Sequence, residues 1–146
     1  MKLTGKISKV ERLPHQARLI FSQASPSCVK TVSVTGPQEQ LTLLSGDGES
    51  IVAEARVWLV SQFIEVDSDQ HFLIQEGCRN GTEVCGEVIR ILDDEGFVCR
   101  VDEVTDELNV ETESDIRPEI GSTVRFSGEL TTSIEQVGAD NPLPAQ

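Results

Sequence analysis

The chain alternates apolar and polar residues with a period of two over much of its length. The segment TVRFSGEL at 123–130 places valine, phenylalanine, glycine and leucine at even positions and polar residues at odd ones. The segments GFVCRVDEV at 96–104 and ELNVETE at 107–113 alternate in the same way. Because successive side chains of a strand point to opposite faces, each pattern predicts a strand with one buried and one solvated face. EVCGEVIRIL at 83–92 is apolar at more positions and predicts a more central strand.

Turn-forming residues separate these segments. DDEG at 93–96, VTDE at 104–107 and SDIRPEIG at 114–121 each contain the aspartate, glycine or proline that turns require. In the first half, KLTGKISKVERL at 2–13 and ARLIFSQA at 17–24 flank the sequence PHQ, which predicts a hairpin connection. Regular strands punctuated in this way predict a meander or a small closed barrel.

Residues 51–63 fit two interpretations. Six of their side chains match one face of a helix, with Ser50 or Asp47 available as a cap. Against this, several residues of the segment and just beyond it are β-branched and therefore favour a strand: Ile51, Val52, Val57, Val60, Ile64 and Val66. We expect a strand from about residue 54 onward, with a short helical turn before it. The helical face would consist of Ile51, Val52, Ala55, Trp58, Leu59 and Phe63.

A short internal echo links the two halves of the chain. GKISKV at 5–10 resembles GEVIRI at 86–91, and EARVWLVSQ at 54–62 resembles STVRFSGEL at 122–130. In each half a first strand carries an early glycine and a later strand carries arginine, valine and an aromatic residue. This arrangement resembles tandem five-stranded barrels of the oligonucleotide/oligosaccharide-binding (OB) type. The spacings of the two echoes differ, so a single barrel and an SH3-like barrel stay open as alternatives.

The fold expected from these patterns is all-β, with one or two small antiparallel barrels, OB-like or SH3-like, and a tandem duplication as one alternative. The 146 residues suit one ordinary domain or two barrels of about 70 residues each. We expect a first barrel-like half at 1–77, a second, acidic half at 82–137, and a disordered tail at 138–146, where periodicity is lost.

Positive charge gathers at the N-terminus of a chain whose net charge is −13. Residues 1–30 carry six cationic side chains and one acid, Glu11. Cations on the solvated face of a hairpin could follow a phosphate backbone, with an aromatic ring stacking on a base. The plainer interpretation is that lysines on an edge strand discourage aggregation. The candidate nucleic-acid or anion-binding residues are Lys2, Lys6, Lys9, Arg12, Arg18, Lys30, Phe21 and Trp58.

The second half of the chain is strongly acidic. Residues 83–146 hold four basic and sixteen acidic residues, and the acids fall on predicted turns and outward strand positions. Such a surface would attract a basic partner, either a DNA-binding protein or an enzyme whose nucleic-acid channel it mimics. The plainer interpretation is a solubilising face. The candidate partner-binding residues are Asp93, Asp94, Glu95, Asp102, Glu111 and Glu113.

No catalytic or metal-binding motif stands out. His15 and His71 lie next to predicted turns without a neighbouring nucleophile, and DSDQH at 67–71 offers too few oxygen ligands for a calcium loop. None of the four cysteines forms a CxxC pair, and Cys85 and Cys99 fall within apolar alternations, where a buried thiol is expected. The N-terminus lacks an apolar signal core, so we expect a cytoplasmic protein with reduced cysteines. Because no apolar run is long enough to span a bilayer, we expect no membrane contact. In the absence of a motif for either, we also expect no cofactor and no metal.

The sequence thus favours a non-catalytic binding or assembly module that acts through protein–protein contact, with the acidic half steering a basic partner. The alternative is a single-stranded nucleic-acid-binding protein that uses the basic N-terminal hairpin. The separation of charge would also permit head-to-tail pairing between copies of the chain.

Overall fold

A computed structural model gives the architecture of the chain and describes residues 1–35, 44, 48–68, 70–75, 81–102, 104–113 and 116–137. These residues form nine strands and no helix. Among them there is therefore no helix that could span a membrane. The expected all-β class is confirmed for them. Residues 76–80 of the boundary expected at 76–82, and the tail expected at 138–146, lie outside the described residues, whereas residues 81–82 belong to β6. The strands are β1 (Lys2–Arg12), β2 (Gln16–Ser25), β3 (Thr31–Thr35), β4 (Ser50–Val66), β5 (Phe72–Gln75), β6 (Gly81–Asp93), β7 (Gly96–Val101), β8 (Val104–Glu111) and β9 (Thr123–Val137).

Five strands close into a ring that we call the first ring. Strand β1 pairs antiparallel with both β2 and β4, and β2 pairs antiparallel with β3. Strand β9 completes the ring by pairing antiparallel with β4 and parallel with β3. The parallel contact aligns Ser33 with Thr131 and Val34 with Thr132. The first ring therefore has the order β1–β2–β3–β9–β4.

A second ring repeats this order of pairings with three new strands and with β4 and β9. Strand β6 pairs antiparallel with both β7 and β9, and β7 pairs antiparallel with β8. Strand β4 closes it by pairing parallel with β8, where Arg56 aligns with Asn109, and antiparallel with β9. The second ring therefore has the order β6–β7–β8–β4–β9, and the short strand β5 pairs with β6 outside it.

Strands β4 and β9 belong to both rings. They are the longest strands, with 17 and 15 residues. Residues 50–54 of β4 pair with β1, and residues 123–129 of β9 pair with β6, while residues 131–132 of β9 cross to β3. Each half of the sequence therefore supplies one strand to the ring built mainly by the other half. The result is a single mixed sheet of nine strands in which the β4–β9 pairing divides a larger ring of eight.

The predicted alternation is borne out in burial on β8, and on β7 with one exception, Val98, which falls on the predicted solvated face but is fully buried. On β7, Arg100 is exposed between two fully buried neighbours, and Leu108 and Val110 on β8 are fully buried while Asn109 is exposed. On β1, Leu3 and Ile7 are fully buried. The inward side chains of the second ring include three phenylalanines. Their ring centroids lie 5.8 to 6.1 Å apart, and the residues are Phe63, Phe97 and Phe126.

The ambiguous segment 51–63 is part of one continuous strand, β4, and the helical turn expected before residue 54 is wrong. The pairing of β4 with β9 shifts register between Trp58 and Ser61 and again between Ser61 and Ile64. These bulges change the spacing of the inward positions, because Val60 and Phe63 pack against the core after Val57. The expected helical face does not coincide with the inward positions of β4, since Leu59 is exposed and Trp58 is only half-buried.

Two glycines occupy matching places in the two rings. Gly5 of β1 pairs with Ile51 of β4, and Gly86 of β6 pairs with Val124 of β9. A Cβ atom on Gly5 would lie 2.8 Å from the ring of Phe21, and one on Gly86 would lie 2.6 Å from the carbonyl oxygen of Arg100. The first strand of each ring therefore lies too close to its neighbour for a side chain at this point.

The buried amide of Gln75 fastens β5 to the beginning of β3. Its Oε1 accepts hydrogen bonds from the backbone N–H groups of Lys30 (2.6 Å) and Thr31 (2.9 Å). Its Nε2 donates to the carbonyl oxygen of Thr31 (2.7 Å) and to Oγ1 of Thr82 (3.2 Å). All four hydrogen-bonding positions of the amide are thus used, and the two rings are joined by a polar contact as well as by the shared strands.

Candidate interaction surfaces

The N-terminal cations line the outer face of the first ring. Lys2, Lys6 and Lys9 are exposed on β1. Arg18 on β2 lies opposite Glu11 on β1. A bulge at Ser8 keeps Lys9 on the outer face, because the register with β2 shifts between Ile7 and Lys9. Lys30 is exposed just before β3. We call this set, with Arg12 at the end of β1, the basic surface.

Carboxylates lie among the cations of the basic surface. Glu11 is shared by Lys9 (Nζ–Oε1, 3.5 Å) and Arg18 (Nη1–Oε2, 3.2 Å). Glu54 lies opposite Lys2 in the β1–β4 ladder and binds the terminal amine at 2.8 Å. Arg12 donates a hydrogen bond to the carbonyl oxygen of Leu44. The cations are therefore grouped on one surface, but that surface is partly neutralised.

The two candidate stacking residues lie away from the exposed part of the basic surface. Phe21 is 8% exposed and packs over Gly5, inside the first ring. Trp58 is half-buried on β4, where its register partner on β9 is Glu129. Since single-stranded nucleic acid is gripped by exposed rings, this placement gives the basic surface no stacking platform from either residue.

Five of the six candidate acidic residues converge at one end of the second ring. Asp93, Asp94 and Glu95 form the β6–β7 turn, and Glu111 ends β8 opposite Gly96. The backbone N–H of Thr112 donates to the carbonyl oxygen of Glu95 at 2.8 Å, which holds the two segments together. All five carboxylates are exposed. We call this set, Asp93, Asp94, Glu95, Glu111 and Glu113, the acidic end.

The acidic end keeps an excess of negative charge. Arg117 binds Asp94 at 3.0 Å, and Arg56 binds Glu111 at 3.3 Å. In the part of the chain that the structure describes, no cation forms an ion pair with the other three carboxylates. A cavity of about 380 Å³ opens beside them, lined by Arg56, Asp93, Glu95, Asn109 and Glu111 among others. Five carboxylates against two guanidinium groups leave a local excess of three negative charges.

Asp102 lies apart from the acidic end. It follows the last residue of β7, whereas Glu95 precedes the first, and the six residues of the strand place the two about 20 Å apart. Its Oδ1 lies 3.3 Å from Nδ1 of His71, whose side chain is 12% exposed. His15 is exposed at the tip of the β1–β2 hairpin, as expected from the sequence PHQ.

The buried thiols are packing residues of the second ring. Cys99 is fully buried and Cys85 is 2% exposed. Burial raises the pKa of the Cys99 thiol from 9.0 to about 12, with smaller contributions from Cys85 and Glu87. Burial also raises the pKa of the Cys85 thiol, against the opposing effect of Arg125. Both groups are therefore protonated and weakly nucleophilic near neutral pH.

Metal ligands do not cluster in the described residues: no three histidine, cysteine, aspartate or glutamate side chains among them could hold an ion together. Asp69 of the DSDQH segment lies outside those residues.

A trough at the crossing of β4 and β9 was not anticipated. Its cavity of about 390 Å³ is lined by residues of four strands, among them Leu59, Ile74, Glu83 and Glu129. The lining residues are far apart in sequence and carry no shared motif. Only the pairing of the strands brings them together.

The chain matches no family model, no curated protein and no solved structure.

Proposed function

We propose that this chain is a non-catalytic binding module that works through protein–protein contact, and that its acidic end binds a basic surface of the partner. The observation that carries this proposal is the convergence of two separate acidic segments, 93–95 and 111–113, on one end of the second ring. A local excess of three negative charges, on a chain of net charge −13, would steer a cationic partner toward that end.

The geometry of the acidic end favours recognition over simple solubilisation. Asp93 Oδ1 accepts a hydrogen bond from the backbone N–H of Glu95 at 2.7 Å, so the turn that carries three of the carboxylates is held in one conformation. The adjoining cavity could admit a lysine or arginine side chain of the partner. The partner would be a DNA-binding protein or an enzyme with a basic nucleic-acid channel, in which the acidic end would take the place of nucleic acid.

We further propose that each ring is a barrel of the OB type and that the two arose by duplication. In the OB barrel the first strand pairs with the second and fourth, and the fifth pairs with the third and fourth. Both rings follow this order, with β9 as fifth strand of the first ring and β4 as fifth strand of the second. The matching positions of Gly5 and Gly86 support the duplication.

Affinity capture from the host, with identification of the bound proteins, tests the role of the acidic end. The test variant combines Asp93→Asn, Glu95→Gln and Glu113→Gln. The matched control combines Glu65→Gln, Glu119→Gln and Glu135→Gln, which are also exposed and change the net charge equally. We expect wild type and control to capture a protein with a basic surface, and the test variant to retain at least about tenfold less.

Nuclease treatment and salt complete that experiment. Capture should survive nuclease and fall as salt rises, because the contact is electrostatic and direct. Equal capture by the test variant and the control would show that the acidic end does not bind the partner. Loss of capture on nuclease treatment would show bridging by nucleic acid.

The alternative function, binding of single-stranded nucleic acid, is favoured by one observation. Lys2, Lys6 and Lys9 are exposed on the same outer face of β1. Fluorescence anisotropy of a labelled oligonucleotide at low salt tests it. Binding that weakens linearly with the logarithm of salt concentration, and that is lost when these lysines are changed to glutamine, would favour this function. No binding at low salt would remove it.

A further inference from the structure

The trough at the β4–β9 crossing has a small-residue floor and apolar walls. The strand registers place Ile74 of β5, Glu83 of β6, Ser127 of β9 and Ser61 of β4 side by side in one row. Glycines 81 and 128 complete the floor. Leu59 and Ile74 form the two walls, and three interstrand spacings, about 14 Å, separate their strands.

The identity of the side chain at position 59 has no structural explanation within the described residues. Its φ is 54°, in the left-handed region, and its side chain is 60% exposed. A branched side chain is strained at such a φ, whereas glycine or asparagine would adopt it readily. The bulge in β4 accounts for the backbone conformation at position 59. It does not account for an apolar side chain that is exposed to solvent. We infer that Leu59 is present for what its side chain contacts.

The apolar surface around Leu59 is extended by other residues and bordered by negative charge. Ile74 is 48% exposed across the trough and Ile64 is 52% exposed further along β4. Glu83 on the floor is bound by Arg125. Among the described residues, no cation forms an ion pair with Glu129, which lines the same cavity. The trough thus offers aliphatic contact and one uncompensated carboxylate.

We propose that this trough docks an extended peptide segment of a protein partner. Aliphatic side chains of the segment would lie between Leu59 and Ile74, and a neighbouring lysine or arginine would reach Glu129. The spacing of about 14 Å between β5 and β4 leaves room for a single extended chain, and a volume of 390 Å³, within the range of small-ligand pockets, would take a few of its side chains. This site is separate from the acidic end, and its test does not depend on the function proposed there.

Calorimetric titration with three synthetic peptides of about nine residues tests the proposal. One alternates leucine with lysine, one leucine with glutamate, and one serine with lysine. We expect the leucine–lysine peptide to bind at least about tenfold more tightly than either of the others, because it alone offers both aliphatic side chains and positive charge.

Leu59→Asn is the decisive variant. Asparagine tolerates a positive φ, so the fold should be kept, and its urea midpoint should equal or exceed that of wild type. Binding of the leucine–lysine peptide should fall at least about tenfold. Ile120→Asn is the matched control, since Ile120 is 65% exposed and does not line the trough, and it should bind as wild type. Ile74→Thr provides a second test on the opposite wall.

Several outcomes would overturn the proposal. These are equal binding of the serine–lysine and leucine–lysine peptides, binding unaffected by both Leu59→Asn and Ile74→Thr, and no binding at millimolar peptide. Sedimentation of the chain alone supplies one more: a dimer that Leu59→Asn converts to monomer would assign the trough to a second copy instead.

Discussion

The two rings share an order of strand pairing but differ in what fills and covers them. The interior of the first ring is mainly aliphatic, whereas the second encloses the phenylalanine trio of Phe63, Phe97 and Phe126. Outside, the first ring carries the basic surface and the second the acidic end. The comparison teaches that the backbone pairing sets the architecture, while core volume and surface charge vary independently on it.

The difference extends to the matching glycines. At Gly5 the two atoms nearest to an added Cβ belong to the side chain of Phe21, which is buried but 8% exposed. At Gly86 they belong to the fully buried Cys99 thiol and to the backbone of β7. An equivalent position is therefore more tightly enclosed in the second ring than in the first.

The largest effect is expected where the rings are joined, at Gln75. Gln75→Leu would keep the approximate size of the side chain but leave the backbone groups of Lys30 and Thr31 without their buried partner. The free energy of unfolding should fall by about 4 kcal/mol, because each unsatisfied group costs about 1–3 kcal/mol. Urea denaturation measures this loss. Gln70→Leu, at an exposed site, is the control and should change stability by less than about 0.5 kcal/mol. Equal, small losses for both would mean that the contact does not join the rings.

The glycine pair should give the next largest effect and a direct contrast between the rings. Gly86→Ala should destabilise the protein by about 3 kcal/mol, since the backbone carbonyl of Arg100 cannot move aside easily. Gly5→Ala should cost about 1 kcal/mol, because the two atoms nearest to the added Cβ belong to the Phe21 side chain, which can adjust more easily than a backbone carbonyl. Unfolding curves of the two variants give both values. A larger loss at Gly5 would reverse our ranking of the two sites.

Alkaline pH should weaken the protein through Cys99 of the second ring. Burial raises the pKa of the Cys99 thiol from 9.0, its value in the unfolded chain, to about 12 in the folded protein. Above pH 9 the unfolded state therefore binds fewer protons than the folded state. Between these values the free energy of unfolding should fall by about 1.4 kcal/mol per pH unit, and below pH 9 this contribution should be constant. Cys99→Ala removes the ionisation, so the curves of stability against pH for the variant and wild type should diverge in slope only above pH 9. Parallel slopes up to pH 11 would contradict the burial of an ionisable thiol there.

The smallest effect is expected for the exposed ion pairs of the second ring. Arg90 binds Glu107 at 3.0 Å, but both side chains are about half exposed. Arg90→Gln should reduce stability by about 0.5 kcal/mol or less, because solvent and salt screen such pairs. Chemical denaturation at low and high salt checks this value. A loss above 1 kcal/mol would show that surface charge contributes to the stability of this ring and not only to its interactions.

The strands and their buried faces were predictable because alternation is a local property. Phe97, Cys99 and Val101 were expected inside and are fully buried. The exchange of β4 and β9 was not predictable. The bulges of β4 were not predictable either, because Leu59 and Gln62 have a positive φ that neither residue type indicates. Pairing between residues far apart in sequence leaves no local signal.

The candidate surfaces were partly predictable for the same reason. A hairpin turn and the end of the next strand are neighbours in any meander, so residues 93–95 and 111–113 converge. Asp102 is separated from them because a whole strand intervenes. The trough combines side chains of four strands, and only the full pairing scheme places them together.

The shared strands have a consequence for how the molecule melts. Disruption of either ring removes hydrogen-bonding partners from β4 and β9 and uncovers the interior of the other ring, so a state with one ring intact and one lost has little to stabilise it. Calorimetry should therefore record one sharp heat-absorption peak whose van't Hoff and calorimetric enthalpies agree, as for a single cooperative unit that comprises both rings.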